Sequence, residues 1–259
     1  MRLREGLQTQ LQVVHALVMR ETRTRFGAHQ LGYIWALIEP LFWVLTFYGI
    51  FTLLERSVPY GMDIVTFITT GVIPFLLFRQ TMGSTTAAIS ANKALLYYPQ
   101  IRPLDLIMAR TGLEVATLIT VFAIIMAGHA LYTGTLVIDK PLTVLIGLTL
   151  AGLLGAALGL FFSALGMYSK VVNRIVPMIN RPLFWISGLF FTANQLPTKV
   201  REVLLWNPIL HTVEMVRDGW FYTYEAHYLD ISYVLYWIIG FAYIGLVLER
   251  MARRRLELT

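Results

Sequence analysis

Six stretches of this chain are long and apolar enough to be candidates for crossing a lipid bilayer: residues 33–54, 64–90, 104–132, 142–167, 176–192 and 231–250. A hydrocarbon core about 30 Å thick takes ~20 mainly apolar residues of α-helix. The second and third stretches exceed that length and should kink or emerge from the bilayer, whereas the fifth is short and begins among polar residues. Charge content argues against a soluble alternative. Only 14% of the 259 residues are charged, against roughly 25% in a soluble domain, too few to solvate the surface of a fold this size. The expectation is one all-α integral membrane domain over residues 1–259, with six transmembrane helices. Its opening residues run into a glutamine-dotted stretch with no continuous apolar run, so the first span is expected to act as its own insertion signal.

The positions of the basic residues test the span count, because cytoplasmic loops of membrane proteins are enriched in Lys and Arg. With six spans, one side holds Arg2, Arg4, Arg20, Arg23, Arg25, Arg79, Lys93, Arg102, Arg110, Lys170, Arg174, Arg181, Arg250, Arg253, Arg254 and Arg255, which is 16 of the 21 basic residues. The other side holds Arg56, Lys140, Lys199, Arg201 and Arg217. Both termini are therefore expected in the cytoplasm. Removing the weak fifth span would put the C-terminal arginines outside. The net charge of +6 follows from this bias and does not call for nucleic acid as a partner.

Two segments outside the spans have their own pattern. In residues 3–28, Leu3, Leu7, Leu11, Val14 and Val18 recur at helical spacing among Arg4, Gln8, Gln10, Gln12, His15 and Arg20. This reads as an amphipathic helix lying in the cytoplasmic interface; a helix packed on a cytoplasmic subunit is the alternative. Residues 193–230 form a connection far longer than a typical loop. Pro197 and Pro208 divide it into short helical pieces carrying Leu204, Leu205, Trp206, Trp220 and Phe221. Apolar helices there should dip into the outer leaflet as re-entrant segments or cap the bundle.

No catalytic signature is present. The chain has no cysteine, no zinc-type His-Glu-x-x-His, no Gly-x-Ser-x-Gly and no phosphate-binding Gly-rich loop ending in Lys-Ser/Thr. The histidines at 15, 29, 129, 211 and 227 lack metal-ligand spacing. No cofactor is expected on this chain, which should not hydrolyse ATP alone. Ionisable and aromatic residues inside the spans are the next candidates, since a charge in hydrocarbon is costly and usually functional. Glu39 precedes Pro40 and stands four residues from both Trp35 and Trp43. That face would line a translocation path, or Glu39 would bond a neighbouring helix. Tyr48 and Trp185 in the spans, with His211, Glu214, Arg217, Trp220 and Tyr222 in the outer connection, complete the candidate path. Most late aromatics also fit an interfacial belt. Gly152, Gly155 and Gly159 allow close helix approach, within one subunit or at a dimer seam.

The cytoplasmic stretch 92–103 is short, apolar and aromatic: Asn92, Lys93, Leu95, Leu96, Tyr97 and Tyr98, bounded by Pro99 and Pro103. An apolar patch offered to the cytosol marks a partner site, unless it folds back on the bundle.

Taken in order, three motifs resemble those of type-2 ABC exporter permeases, and within them the capsular-polysaccharide export branch. They are Arg25-Phe26-Gly27 with Leu31 through Pro40, Leu95 through Asp105, and Asn207-Pro208-Ile209-Leu210-His211 with Glu214, Arg217 and Gly219-Trp220-Phe221. The resemblance covers nearly the whole chain. It implies a homodimer of six-span subunits around a central path in the bacterial inner membrane. Separate ATPase subunits that bind ATP and Mg would attach beneath, with residues 92–99 as the coupling helix. It further implies a periplasmic co-polymerase, an outer-membrane channel and a lipid-linked cargo. Because capsules are often acidic, the cytoplasmic arginines would suit an anionic polysaccharide or anionic lipid, although positive-inside topology predicts the same residues. O-antigen or teichoic acid export by the same family, and a membrane-embedded glycan- or lipid-modifying enzyme, are the alternatives.

Overall fold

A computed structural model describes residues 2–26, 32–58, 61–98, 100–135, 137–169 and 171–256. Among them there is no strand. The helices run α1 (Arg2–Phe26), α2 (Gly32–Leu53), α3 (Ile64–Thr86), α4 (Ala88–Ala91), α5 (Pro103–Thr133), α6 (Pro141–Gly166), α7 (Val172–Ile186), α8 (Thr198–Leu204), α9 (Pro208–Trp220) and α10 (Ile231–Leu256). Pro99 and residues 27–31 of the first family motif lie outside the described residues.

Local chemistry sets the helix ends. The Asp63 carboxylate accepts from the backbone N–H of Thr66 at 3.0 Å and starts α3, and the Asn207 side chain does the same for Ile209 at 3.1 Å and starts α9. Pro103, Pro141 and Pro208 stand in the first turn of their helices, where a missing N–H costs nothing. Pro103 therefore opens α5 instead of closing the preceding segment. Gly134, with φ 72°, ends α5 in the left-handed conformation that glycine adopts freely.

Five helices are long and apolar enough to cross a membrane: α2, α3, α5, α6 and α10. At ~1.5 Å per residue, the 31 residues of α5 span about 46 Å and extend beyond the hydrocarbon. The stretch expected as a fifth span, 176–192, differs. Its helix α7 has 15 residues with Pro177 and Pro182 inside, about 22 Å, and the chain leaves helical form after Ile186, with Gly188 at φ 79°. The expected long second span is likewise divided, α3 stopping at Thr86 and α4 beginning at Ala88.

α3 is the centre of the molecule. Phe67, Ile68, Val72, Ile73, Phe75, Leu76, Leu77 and Phe78 are fully buried against α2, α5, α6 and α9. Its threonines are buried too, and three of their hydroxyls donate back into their own helix: Thr70 to the Thr66 carbonyl at 2.8 Å, Thr85 to Thr81 at 2.6 Å and Thr86 to Met82 at 2.7 Å. No unpaired hydroxyl is thereby taken into the core by these three residues. Gly155 and Gly159 of α6 face this helix. A Cβ on Gly155 would lie 2.4 Å from the Phe78 carbonyl oxygen, and one on Gly159 would strike Thr85. The small-residue stripe thus serves packing within one subunit. Gly155→Ala is expected to cost about 1–3 kcal/mol, because the obstacle is backbone; a lowered thermal midpoint in detergent is the measurement.

Candidate functional site

The described residues contain no group of three or more His, Asp or Glu positioned to hold a metal ion. What the fold builds instead are three polar assemblies, one at each end of the bundle and one between α2 and α3.

At one end of the bundle, Val13, Val14, Leu17 and Val18 of α1 cluster with Leu106 and Ile107 of α5 and with Leu95, Leu96 and Ile101. Of the stripe expected to meet lipid, Val14 and Val18 are instead packed in this cluster, while Leu11 remains exposed; the side chains of Leu3 and Leu7 lie outside the described residues. Arg20 donates to the Asn92 side-chain oxygen at 3.0 Å, and Gln10 donates to Asp105 at 3.0 Å. Arg110 reaches Glu21 of α1 at 2.9 Å and the Ser84 carbonyl at 2.7 Å. These bonds fasten α1, α5 and the 92–98 segment into one unit. Within it, Lys93–Tyr97 is a short 3-10 helix. Its leucines face inward, whereas Lys93, Tyr97 and Tyr98 point outward, Tyr97 being 89% exposed.

Within the spans, Glu39 accepts from Gln80 at 3.2 Å and pairs with Arg79 of α3, so its carboxylate is held by a neighbouring helix. The two partners lie 40 and 41 residues away, which no local spacing reveals. Trp43 stacks on Phe47 and meets Phe184 of α7. Trp35, Tyr48 and Trp185 are exposed on the same subunit.

At the other end of the bundle, α9 is almost wholly buried. It runs antiparallel to α6: Gly219 meets Val144 and the Lys140 carbonyl, and Val216 and Met215 meet Gly147. The first residues of α9 share a cavity of about 630 Å³ with Leu158 and Phe161 from the second half of α6 and with Trp237 and Phe241 of α10. Arg217 is fully buried. Its guanidinium donates to the carbonyls of Phe191 at 2.7 Å and Leu189 at 3.0 Å, lies 3.6 Å from Glu214 and sits over the Phe67 ring at 4.2 Å. Glu214 accepts from the Ala193 N–H at 3.3 Å and bonds the Tyr224 hydroxyl. Gly71 is required here, since a Cβ would stand 2.7 Å from the guanidinium and 2.8 Å from the Leu189 carbonyl. Arg56 adds a bond to the Phe190 carbonyl at 3.2 Å.

His211 accepts from the Asp230 N–H at Nδ1, 3.1 Å, and meets the Leu205 carbonyl at Nε2, 2.9 Å. One nitrogen accepts and the other donates, so this imidazole is a neutral brace. Trp220 is buried edge-on against Phe122, and Tyr222 is exposed. Of the outer candidates, then, His211, Glu214, Arg217 and Trp220 are brought together with the outer segment's own backbone and core, and Tyr222 stands apart at the surface. No local spacing signals Tyr224 as the partner of Glu214, Arg79 as that of Glu39 or Arg20 as that of Asn92. The i, i+3 spacing of Glu214 and Arg217 was visible; its long-range backbone partners were not.

The described residues thus form a unit of α1, α5 and the 92–98 segment, a cross-linked pair of α2 and α3, and a segment around α9 pinned to α3 by a buried cation. Residues 12–221 match the ABC-2 type transporter family, and the chain belongs to it. It is 32% identical to the polysialic acid transport protein KpsM of Escherichia coli over 248 residues, 95% of this chain and 96% of that protein. It is 29% identical to the capsule polysaccharide export inner-membrane protein BexB of Haemophilus influenzae over 257 residues, 98% and 96% of the two chains. With the capsule polysaccharide export inner-membrane protein CtrC of Neisseria meningitidis serogroup A the identity is 29% over 239 residues, 89% and 87% of the two.

Proposed function

We propose that this chain is the transmembrane subunit of an ATP-driven exporter of lipid-linked capsular polysaccharide. The observation that carries the reading is near-full-length similarity to three proteins whose names specify polysaccharide or capsule export. The cytoplasmic unit supports it, because Tyr97 and Tyr98 project from a segment locked to α1 and α5. A partner ATPase, binding ATP and Mg, would press there, and α5 would carry the movement across the bilayer.

In this reading both termini are cytoplasmic in the inner membrane, and α7 with residues 187–192 makes the sixth crossing. α8 and α9 enter from the outer face and return to it, with Asn207 and Pro208 at the turn. Two copies would enclose the path, each contributing the exposed face of α2 (Trp35, Ile38, Phe42, Leu45, Tyr48) and Trp185 of α7. The Glu39–Arg79 pair would border that face and offer hydrogen bonds to an anionic polysaccharide. A periplasmic co-polymerase and an outer-membrane channel would receive the product.

The experiment is ATP hydrolysis by the chain in lipid nanodiscs, alone and with the ATPase encoded beside its gene, with and without lipid-linked glycan from the same cells. Hydrolysis that requires the partner and rises with glycan is the expected result. A chain that recruits no ATPase, or that alone converts a glycan or lipid, would overturn the reading.

A further inference from the structure

A cleft of about 230 Å³ opens at the outer end of the bundle, between the start of α3, the end of α5 and the chain after α9. Its walls include Asp63, His129, Thr133, Tyr222 and Thr223. None of the residues of the buried Arg217 assembly lines it, and Asp63 brings to it more than the helix cap it provides for α3. The Asp63 Oδ2 atom is committed three times: to the Thr66 N–H at 3.0 Å, to the Thr66 hydroxyl at 3.4 Å and to Nε2 of His129 at 2.9 Å. Oδ1 makes no hydrogen bond among the described residues, and the Asp63 side chain is half exposed. The His129 ring donates through Nε2, which fixes the carboxylate's orientation. The same cleft is lined by Tyr222, which is 74% exposed, and by Thr133 and Thr223.

A fixed carboxylate oxygen, threonine hydroxyls and an exposed aromatic face together match one chemical class. Vicinal hydroxyls donate to the carboxylate, and the C–H face of a sugar ring carries the positive edge that a π face attracts. Cleft size limits the ligand: ~300–1,000 Å³ is usual for a drug-sized molecule, so a smaller cleft suits a single pyranose. The charge of Asp63 selects against a carboxylate on the side of the ring that enters.

We propose that this cleft is a subsite for one pyranose unit of the exported glycan, held by its neutral, hydroxyl-bearing face at the outer mouth of the permease. The proposal rests on the exporter reading and deepens it. A unit bound there as the chain emerges would oppose backward slippage between strokes of the ATPase, and an acidic substituent would point to solvent.

The test is saturation-transfer NMR on the full chain in nanodiscs, with methyl glucoside, galactoside, mannoside and N-acetylglucosaminide as probes and methyl glucuronide for comparison. At least one neutral pyranoside should bind, and more tightly than the glucuronide. Asp63→Asn keeps an equally good helix cap but turns an acceptor into a donor, and it should weaken binding about tenfold, the worth of a charge-assisted hydrogen bond. Tyr222→Ala alters an exposed side chain and should do the same. Absence of binding by every neutral probe, or binding unchanged in both variants, overturns the subsite. Deleting the gene separates the two claims. Loss of surface polysaccharide together with silent probes removes the subsite and leaves the exporter, whereas intact surface polysaccharide removes both.

Discussion

Replacing Arg217 with methionine should lower the thermal midpoint of the folded permease by roughly 10 °C, making it the most damaging single substitution outside the close-packed glycines. The guanidinium is completely buried and bonds two backbone carbonyls, Leu189 and Phe191, in a segment that is not helical. Backbone without regular structure cannot satisfy itself at this depth and must borrow partners from the protein. Removing the cation also leaves the Glu214 carboxylate, only 2% exposed, without its counter-charge. Truncating one member of a buried pair costs about 3–5 kcal/mol. The companion variant Glu214→Gln/Arg217→Met should recover part of the loss, because no buried charge is then stranded. Tryptophan fluorescence during heating in detergent reads both. If the single and double variants melt alike and near the parent, Arg217 does not hold the outer segment.

Tyr97→Ala with Tyr98→Ala should abolish glycan export and weaken association with the ATPase by at least about thirtyfold, the loss of one strong aromatic anchor at an interface, while the permease stays folded. The two rings are exposed and make no packing contact in the cytoplasmic cluster. Leu95 and Leu96 behave differently. They lie in the cluster with Leu17, Leu106 and Ile107, so aspartate there would unfold the cytoplasmic end and say nothing about coupling. Co-purification of the ATPase, read beside the thermal midpoint, separates the two pairs of residues. Continued export and co-purification with both tyrosines removed would show that the contact lies elsewhere.

Much of this molecule is written in one dimension. Helical runs that must bury ~20 residues in hydrocarbon cannot be disguised, and α2, α3, α5, α6 and α10 fall within a few residues of the boundaries expected from hydropathy. The order of motifs from Leu31 to Phe221 pointed to the exporter family, to which the chain belongs. α7 was less legible because Pro177, Pro182 and the turn at Gly188 shorten its helix, and the apolar run continues past the point where the helix stops.

The sequence by itself determined what the bilayer and the local backbone control. That includes the apolar helix lengths and the glycine stripe. Only the tertiary structure decided which side chains are partners. Glu39 met Arg79 across 40 residues, Arg20 met Asn92 across 72, Gln10 met Asp105 across 95, and Arg217 found carbonyls 26 and 28 residues earlier. The physical reason is that helix periodicity fixes which face a residue occupies, within a few neighbours. Which helix lies opposite that face depends on packing of the whole bundle, and in a membrane interior a polar group accepts whatever partner that packing brings within reach.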